Sequence, residues 1–491
     1  MQRRTLLQAG LSWPAWAAAQ GSTPWTDALA REAVALLADA ASHGLDPRDY
    51  GAAALARALA EAADPVTLAP RLDTAVLRFL HDLHAGRIDP HAIHHDFRPV
   101  RRVPFDAATV LQQALARGRL TDAVAAAVPP LPTYGHLRDA LARCRALAAD
   151  RAWVAPLPAL PKSGKLEDLS AWPGAGVLRA RLQAWGDLTG TEPLADGLRR
   201  FQQRHGLADD GVLGRATWAA LQVTPAQRAR QIELTLERLR WTPLLQGRRM
   251  IVVNIPEYVL RAYEVVDGRI RVQLTMRVVV GKAADTRTPL IDEDLRFIEF
   301  SPYWNVPPSI ARKELVPRLR RDPGHWAREG YEFVGPGGQV DTALSATRLD
   351  AVLAGGWRIR QRPGPRNALG DIKFVFPNRE AIYLHHTPSV SLFDRARRDF
   401  SHGCIRLEQP EALAQWVLRD QAGWDAARIR TAMTAGTSST LALAAPIPVL
   451  IAYGTTLVKD GRTHFYDDVY GLDRRLDAAL QSRHRPEGAD R

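Results

Sequence analysis

Residues 383–407 read YLHHTPSVSLFDRARRDFSHGCIRL, and the rest of the chain is organised around them. The stretch holds Cys404, one of two cysteines in 491 residues. His385 and His386 stand nineteen and eighteen positions ahead of it, and His402 two positions ahead. A thiol with imidazoles in reach is equipped for nucleophilic acyl chemistry: the thiolate attacks and the imidazole takes the proton. Gly403 lacks a Cβ, so the backbone can turn sharply and aim N–H groups at a developing oxyanion. Arg406 sets a fixed charge beside the sulfur, suited to lowering the thiol pKa or holding a substrate carboxylate. The bland alternative is a buried thiol with histidines nearby by coincidence. The string Ser401-His402-Gly403-Cys404 is too specific to favour it.

That string, with a histidine before it, resembles the L,D-transpeptidase (YkuD-type) family. The signature there is a His, an intervening loop, then Ser/Thr-His-Gly-Cys. Many members carry Asn two places after the Cys, where this chain has Arg406. The longer pattern Tyr-Leu-His-x-Thr-Pro-x-x-x-Leu-Phe over 383–393 is similar to the YcbB-like multidomain branch, which often has Arg there. The resemblance implies Cys404 as nucleophile and His385 as general base and acid. His402 and Gly403 would shape the loop and the oxyanion site. Tyr383, Arg406 and Ser401 fall on the substrate side. His386 sits where relatives often carry a carboxylate. No metal or organic cofactor is implied.

Length allows two to four domains. Hydrophobic residues make up 46% of the chain, ordinary for globular protein, and the net charge is +12. Nucleic acid is the usual first partner for such a charge. Here the arginines are dispersed through Ala/Leu-rich segments with no long run, so an acidic polymer outside the cytoplasm fits as well. The N-terminus favours export. MQRRTLLQAGLSWPAWAAAQG has two arginines, a short apolar core and the ending Ala17-Ala18-Ala19, which predicts a signal peptide cut after Ala19. Arg3-Arg4 admits a twin-arginine route beside the Sec route. No stretch is long and apolar enough for an integral membrane span. Export places the protein in the periplasm and opposes nucleic acid. There Cys144 could in principle pair with Cys404. Instead Leu137, Leu141, Cys144 and Leu147 share a helical face, which reads as a buried structural thiol.

In chain order, residues 20–170 read as a helical domain, with helices near 28–43, 51–63, 71–84, 107–116, 119–127 and 134–149, and this segment resembles the scaffold of the YcbB-like branch. His81, His84, His91, His94 and His95 cluster within it. Gly86 and Pro90 break the helix that would align them as ligands, so packing or solvated histidines are favoured over a metal. Residues 155–165 read as a Pro-rich linker or extended crossing. The string LRRFQQRHGLADDGVLGRATWAALQ (198–222) is similar to the small three-helix peptidoglycan-binding domain. From Arg249 the period becomes alternating, with strands turned by Asp267-Gly268. Residues 303–360 read as an irregular inserted cap with a helix near 310–320. Arg358, Arg360 and Arg362 alternate on a strand and share one face. With Asn367 they are expected to line a cleft for carboxylate-bearing peptide.

Together these readings predict a multidomain α+β protein. Its parts are signal peptide 1–19, helical scaffold 20–170, peptidoglycan-binding-like domain 176–224 and connecting helix 225–247. A β-sandwich-like catalytic domain follows at 248–435. Residues 436–491 supply a C-terminal hairpin completing the sheet, then a disordered tail. The implied partners are peptidoglycan peptide stems, a donor tetrapeptide and an acceptor. The implied reaction forms a Cys404 thioester with release of terminal D-Ala, then a 3→3 diaminopimelate crosslink. A lipoprotein lysine, a D-amino acid or water are other acceptors. A Cys/His endopeptidase, an L,D-carboxypeptidase and a non-catalytic wall-binding scaffold are the competing readings.

Overall fold

The computed structural model describes residues 25–483 apart from 62, 95–96, 98–103 and 171. The expected signal peptide, His95 and the tail beyond residue 483 lie outside the described residues. The chain divides into two compact units. The first takes the described residues of 1–39, 47–80 and 106–127 and is helical. Thr26 caps helix Asp27–Ala38 by accepting from the Leu29 N–H. Asp106 caps Ala107–Arg117 in the same way, and Gly118 ends that helix in a left-handed turn at φ 70°. Leu37, Leu72 and Phe79 are buried among its core residues.

The second unit comprises 40–46, 81–105 and 128–491, and its spine is the connecting helix Pro225–Trp241. Thr224 and Gln227 form a reciprocal capping box, with Pro225 in the first turn. Ile232, Leu236 and Trp241 are buried, but so is the Glu237 carboxylate, at 0% exposure. That carboxylate accepts from the Ile88 N–H at 3.1 Å, from the Arg87 N–H, and from Arg240 Nη1 at 2.9 Å. Arg230 pairs with Asp477 at 2.6 Å, and Arg238 pairs with Asp473. Helix Pro132–Leu147 falls in this unit. Its apolar stripe of Leu137, Leu141 and Cys144 is covered by Ile232 and Leu236. The Cys144 thiol is free, and burial raises its pKa to about 11. Among the described residues no group of three His, Cys, Asp or Glu is placed to hold a metal. His84 stacks on Phe105 and His94 on Trp241. No helix of the described residues is long and apolar enough to cross a membrane.

The small domain packs helices Ala175–Ala184, Leu194–Arg204 and Arg215–Gln222 around Leu178, Leu198, Phe201 and Leu221. Leu157, Leu169 and Trp172 join its core, and Lys165–Leu166 pairs antiparallel with Leu213–Gly214. The Pro-rich stretch is therefore packed along this domain rather than spanning free.

The C-terminal sheet has nine strands: β1 (Arg249–Asn254), β2 (Val259–Val266), β3 (Arg269–Gly281), β4 (Ile291–Phe300), β5 (Ile372–Val375), β6 (Leu384–His385), β7 (Asp399–Ser401), β8 (Ile405–Leu407) and β9 (Ser439–Ala452). Their order is β7-β3-β8-β6-β5-β4-β9-β1-β2, and β2 also pairs with β3. The sandwich-like body is thus one mixed sheet that closes on itself, its interior filled by Val253, Leu260, Val278, Phe374 and Leu450. One expectation needs correcting here. The C-terminal hairpin was expected to complete the sheet. In fact Ser439–Ala452 completes the sheet, lying between β4 and β1, while Thr456–Lys459 and Arg462–Phe465 form a separate two-stranded sheet.

The cap between β4 and β5 is also more regular than expected. Strands Trp304–Asn305, Arg358–Gln361, Tyr331–Val334 and Val340–Asp341 form an antiparallel sheet in that order. Its core includes Leu315, Leu319, Trp326, Phe333 and Ile359. Its strands are two to four residues long, too short to show an alternating pattern.

Because Glu237 is the buried acceptor for two backbone N–H groups and the Arg87 and Arg240 guanidinium groups, Glu237→Ala should cost about 3–5 kcal/mol. A fall in the urea midpoint of the unit containing the sheet, read by near-ultraviolet circular dichroism, checks this.

Candidate active site

Register decides which side chains share the reactive face. β6 runs parallel to β8 with Leu384 opposite Ile405 and His385 opposite Arg406. β5 runs antiparallel to β6, with Phe374 opposite Leu384 and Lys373 opposite His385. Ile298 and Glu299 of β4 continue the two rows. Ile298, Phe374, Leu384 and Ile405 are all fully buried and face the core. Successive residues alternate across a sheet. Glu299, Lys373, His385 and Arg406 therefore line up on the other face, with Tyr383 and Cys404 one step along it. His385 and Cys404 are diagonal neighbours on this face.

The loop ahead of Cys404 is fixed from several sides. Ser401 Oγ donates to the Cys404 carbonyl and accepts from the Gly403 N–H at 3.2 Å. The Ser401 carbonyl accepts from the Lys282 N–H and from Thr286 Oγ1, each at 3.0 Å. Thr288 Oγ1 donates to the Gly403 carbonyl at 2.7 Å and accepts from the Gly281 N–H at 2.9 Å. Gly403 has φ 113°, and a Cβ there would sit 3.1 Å from Ile382 Cδ1. Glycine is required at this point.

Cys404 Sγ lies 3.7 Å from the Ala381 carbonyl oxygen. Ala381 holds φ 53°, a left-handed conformation that alanine adopts at a cost. Asn378 braces that turn by donating to the Phe376 and Ile382 carbonyls and accepting from the Ile382 N–H. Burial raises the thiol pKa, while hydrogen bonds from the Tyr383 backbone and phenol, and the charges of Lys373 and Arg406, pull it down. Lys373 lies 4.4 Å above the Tyr383 ring and 3.0 Å from Glu299. Burial, and secondarily Arg406, depress the His385 pKa to about 3. Its Nδ1 meets the His386 carbonyl, which fixes Nδ1 as the proton carrier. Arg406 Nε is buried without a hydrogen-bond partner.

The expected site residues thus separate into two groups. Cys404, His385, Tyr383 and Arg406 share one face. Ser401 was expected on the substrate side, but it is 2% exposed and its hydroxyl is consumed by the loop. Gly403 serves as the turn, since its N–H is taken by Ser401. His402 is turned outward and bonds Glu314 of the cap at 2.7 Å. Asn367 is 1% exposed and its amide is spent on the Pro302 and Arg362 carbonyls, each at 3.0 Å, and on the Leu369 N–H. It is a brace, not a substrate ligand. Arg360 is committed to Glu332 and to the Tyr303 ring, 4.1 Å away, while Arg358 and Arg362 stay exposed and bond only the Asn305 side chain and the Gly330 carbonyl. His386 pairs with Asp371 at 2.7 Å. Lys373, Glu299 and the two threonines escaped the sequence reading. The alternation of Asp371, Lys373 and Val375 along β5 was the one signal available for Lys373.

Comparison with known proteins identifies the segments that match known domains. Residues 248–450 match the model described as "L,D-transpeptidase catalytic domain", 12–141 match "Scaffold domain", and 177–221 match "Putative peptidoglycan binding domain". A Haemophilus influenzae protein described as "Putative L,D-transpeptidase" is 32% identical over 249 residues. That alignment covers 51% of this chain and 49% of the relative, so the chain spans about half the length of the curated relative it matches. Residues 248–450, which hold every group on the thiol face, are an L,D-transpeptidase catalytic domain of the YkuD type, preceded in the chain by a peptidoglycan-binding domain.

Proposed function

We propose that this chain is an exported, periplasmic L,D-transpeptidase of the YcbB-like kind that joins peptidoglycan stems through a Cys404 thioester. The observation that carries the reading is the shared sheet face, where one thiol sits with a phenol, an imidazole and an unpartnered guanidinium nitrogen. Burial lifts the thiol and depresses the imidazole, so the resting pair is neutral. His385 takes the thiol proton as the donor stem binds. The sulfur then attacks the diaminopimelate carbonyl at its bond to terminal D-Ala. The C–N bond breaks, His385 returns the proton to the departing amine, and the thioester remains. The side-chain amine of a second stem attacks the thioester and loses its proton to His385. The 3→3 bond forms and the thiol is restored. Backbone N–H groups at His402 and Cys404 are the candidates for the oxyanion, each such donor worth about 3 kcal/mol. Arg406 Nε receives a stem carboxylate. The small domain and the signal-like N-terminus support work at the wall.

Cys404→Ser should leave the fold intact and abolish crosslinking. Mass spectrometry of digested sacculi would then show no dimers lacking D-Ala; near-normal dimer yield from the variant would end the proposal. Shortened monomers in place of dimers with the unaltered enzyme would instead identify a hydrolase. Arg406→Ala should raise KM for a tetrapeptide donor about tenfold, as expected for loss of roughly 1.4 kcal/mol of carboxylate binding.

The neutral pair also fixes a pH profile. A thiol with a raised pKa is uncharged below that pKa, so iodoacetamide labelling of Cys404 should climb with pH to an inflection above the ordinary value of about 8.5. No step should appear near pH 6.5, because His385 stays unprotonated there. Lys373→Met removes a cation that favours the thiolate. It should shift the curve upward by about half a unit, slowing labelling at neutral pH about threefold.

A further inference from the structure

The His386 side chain takes no part in the acyl transfer described above, yet the chain surrounds it with specific partners. Its Nδ1 lies 2.7 Å from Asp371 Oδ1. A carboxylate accepts, so Nδ1 donates. The ring also rests directly on Gly370. That glycine holds φ 65°, and a Cβ there would sit 2.5 Å from His386 Nδ1 and 2.6 Å from its Cγ. Only glycine admits the ring so close. The His386 N–H donates to the Ile372 carbonyl at 3.0 Å. On the other side of the 386 carbonyl, Thr387 is 1% exposed and precedes Pro388, a neighbour that favours extended backbone.

These contacts converge on one peptide group. The His386 carbonyl receives the hydrogen of His385 Nδ1, so its orientation decides which nitrogen of His385 is protonated. The Leu369 carbonyl is a second acceptor beside the same ring. Leu369, Gly370 and Asp371 thus grip His385 and His386 together. Asn367 braces the grip: its Oδ1 accepts from the Leu369 N–H and its carbonyl from the Gly370 N–H, each at 2.8 Å. Stability alone accounts poorly for the carboxylate. The Asp371 side chain is 32% exposed and that of His386 28%, and an exposed pair contributes at most about 1 kcal/mol to the fold.

We propose that Asp371 is a positioning residue for the base: held through the His386 ring, the 386 carbonyl keeps the hydrogen of His385 on Nδ1 and leaves Nε2 to take the thiol proton. Asp371 works at one remove, through its neighbour's ring. The inference deepens the transpeptidase reading and rests on it in taking His385 as the base.

Three measurements on the full chain test it. Nitrogen-15 labelling of the histidines reads the tautomer, with the His385 signals assigned by their loss in His385→Gln. The unaltered protein should show the Nδ1–H form, and Asp371→Leu a mixture of both. Acylation by a carbapenem reads the base. The sulfur attacks the β-lactam carbonyl, the ring C–N bond opens, and the thiol proton passes through His385 to the ring nitrogen. Asp371→Leu should lower the maximal acylation rate about tenfold, part of the roughly 10²–10⁴-fold that a general base supplies, with the half-saturating concentration unchanged. Asp371→Asn keeps an acceptor oxygen for His386 and should recover most of the rate. Iodoacetamide labelling reads the thiol alone and should keep its pH inflection in both variants. An unchanged tautomer or acylation rate in Asp371→Leu, an equal loss in Asp371→Asn, or a shifted labelling curve overturns the proposal. Failure of Asp371→Leu to fold overturns it too, because the pair would then be structural. An unaltered protein that the carbapenem does not acylate strikes the transpeptidase reading instead, and the tautomer comparison still decides the role of Asp371.

Discussion

The parallel pairing of β6 with β8 is the constraint on which the site depends. Leu384 opposite Ile405 buries two apolar side chains and thereby commits Tyr383, His385, Cys404 and Arg406 to the other face. A slip of one residue would turn the sulfur into the core and the leucine outward. Strands of two and three residues cannot enforce that register alone. Their flanks do so. Thr286 and Thr288 hold the turn before Cys404, Asn378 holds the turn before Tyr383, and β5 and β3 close both sides. The close approach of the 281–288 segment is possible because Gly281 has no side chain. A Cβ there would sit 1.9 Å from the Thr286 carbonyl oxygen.

The same burial that fixes the register sets the electrostatics. A sulfur packed against the core resists ionisation, and an imidazole at 4% exposure resists protonation. Both groups are therefore uncharged at neutral pH. Lys373 and Tyr383 counter the penalty on the thiolate side. Glu299 holds the lysine in place, so three strands contribute to the ionisation of one thiol. Behind the sheet, the connecting helix carries charge in a comparable way. Glu237 gathers the Arg87 and Ile88 N–H groups around itself, converting a helix into a joint between chain segments 150 residues apart.

Much of this was legible in the sequence. Ser-His-Gly-Cys marks a sharp turn because glycine alone tolerates φ 113° with Ile382 so close. Asp267-Gly268 marks the hairpin because both residues take positive φ. Long strands such as β3 announce themselves by composition. The cap sheet did not, since Tyr331–Val334 is buried on both faces and shows no alternation. Asn367 and Arg360 misled for one shared reason. A polar residue in a promising stretch reads the same whether it meets a ligand or a carbonyl across the fold. Only the long-range partners, Pro302 for one and Glu332 for the other, tell them apart.

Those partners also rank the ties between cap and catalytic sheet. The cap leaves and rejoins the sheet through two crossings, near residues 302 and 362. Asn367 grips both, with its buried amide on the Pro302 and Arg362 carbonyls. Stripping a buried amide of its partners costs about 1–3 kcal/mol for each group left unsatisfied. Beside the sulfur, the cap reaches the nucleophile loop through Glu314 and His402, an exposed pair on a π-helical turn at 311–315. Exposed pairs contribute at most about 1 kcal/mol. The root of the cap is therefore held more firmly than its edge over the thiol.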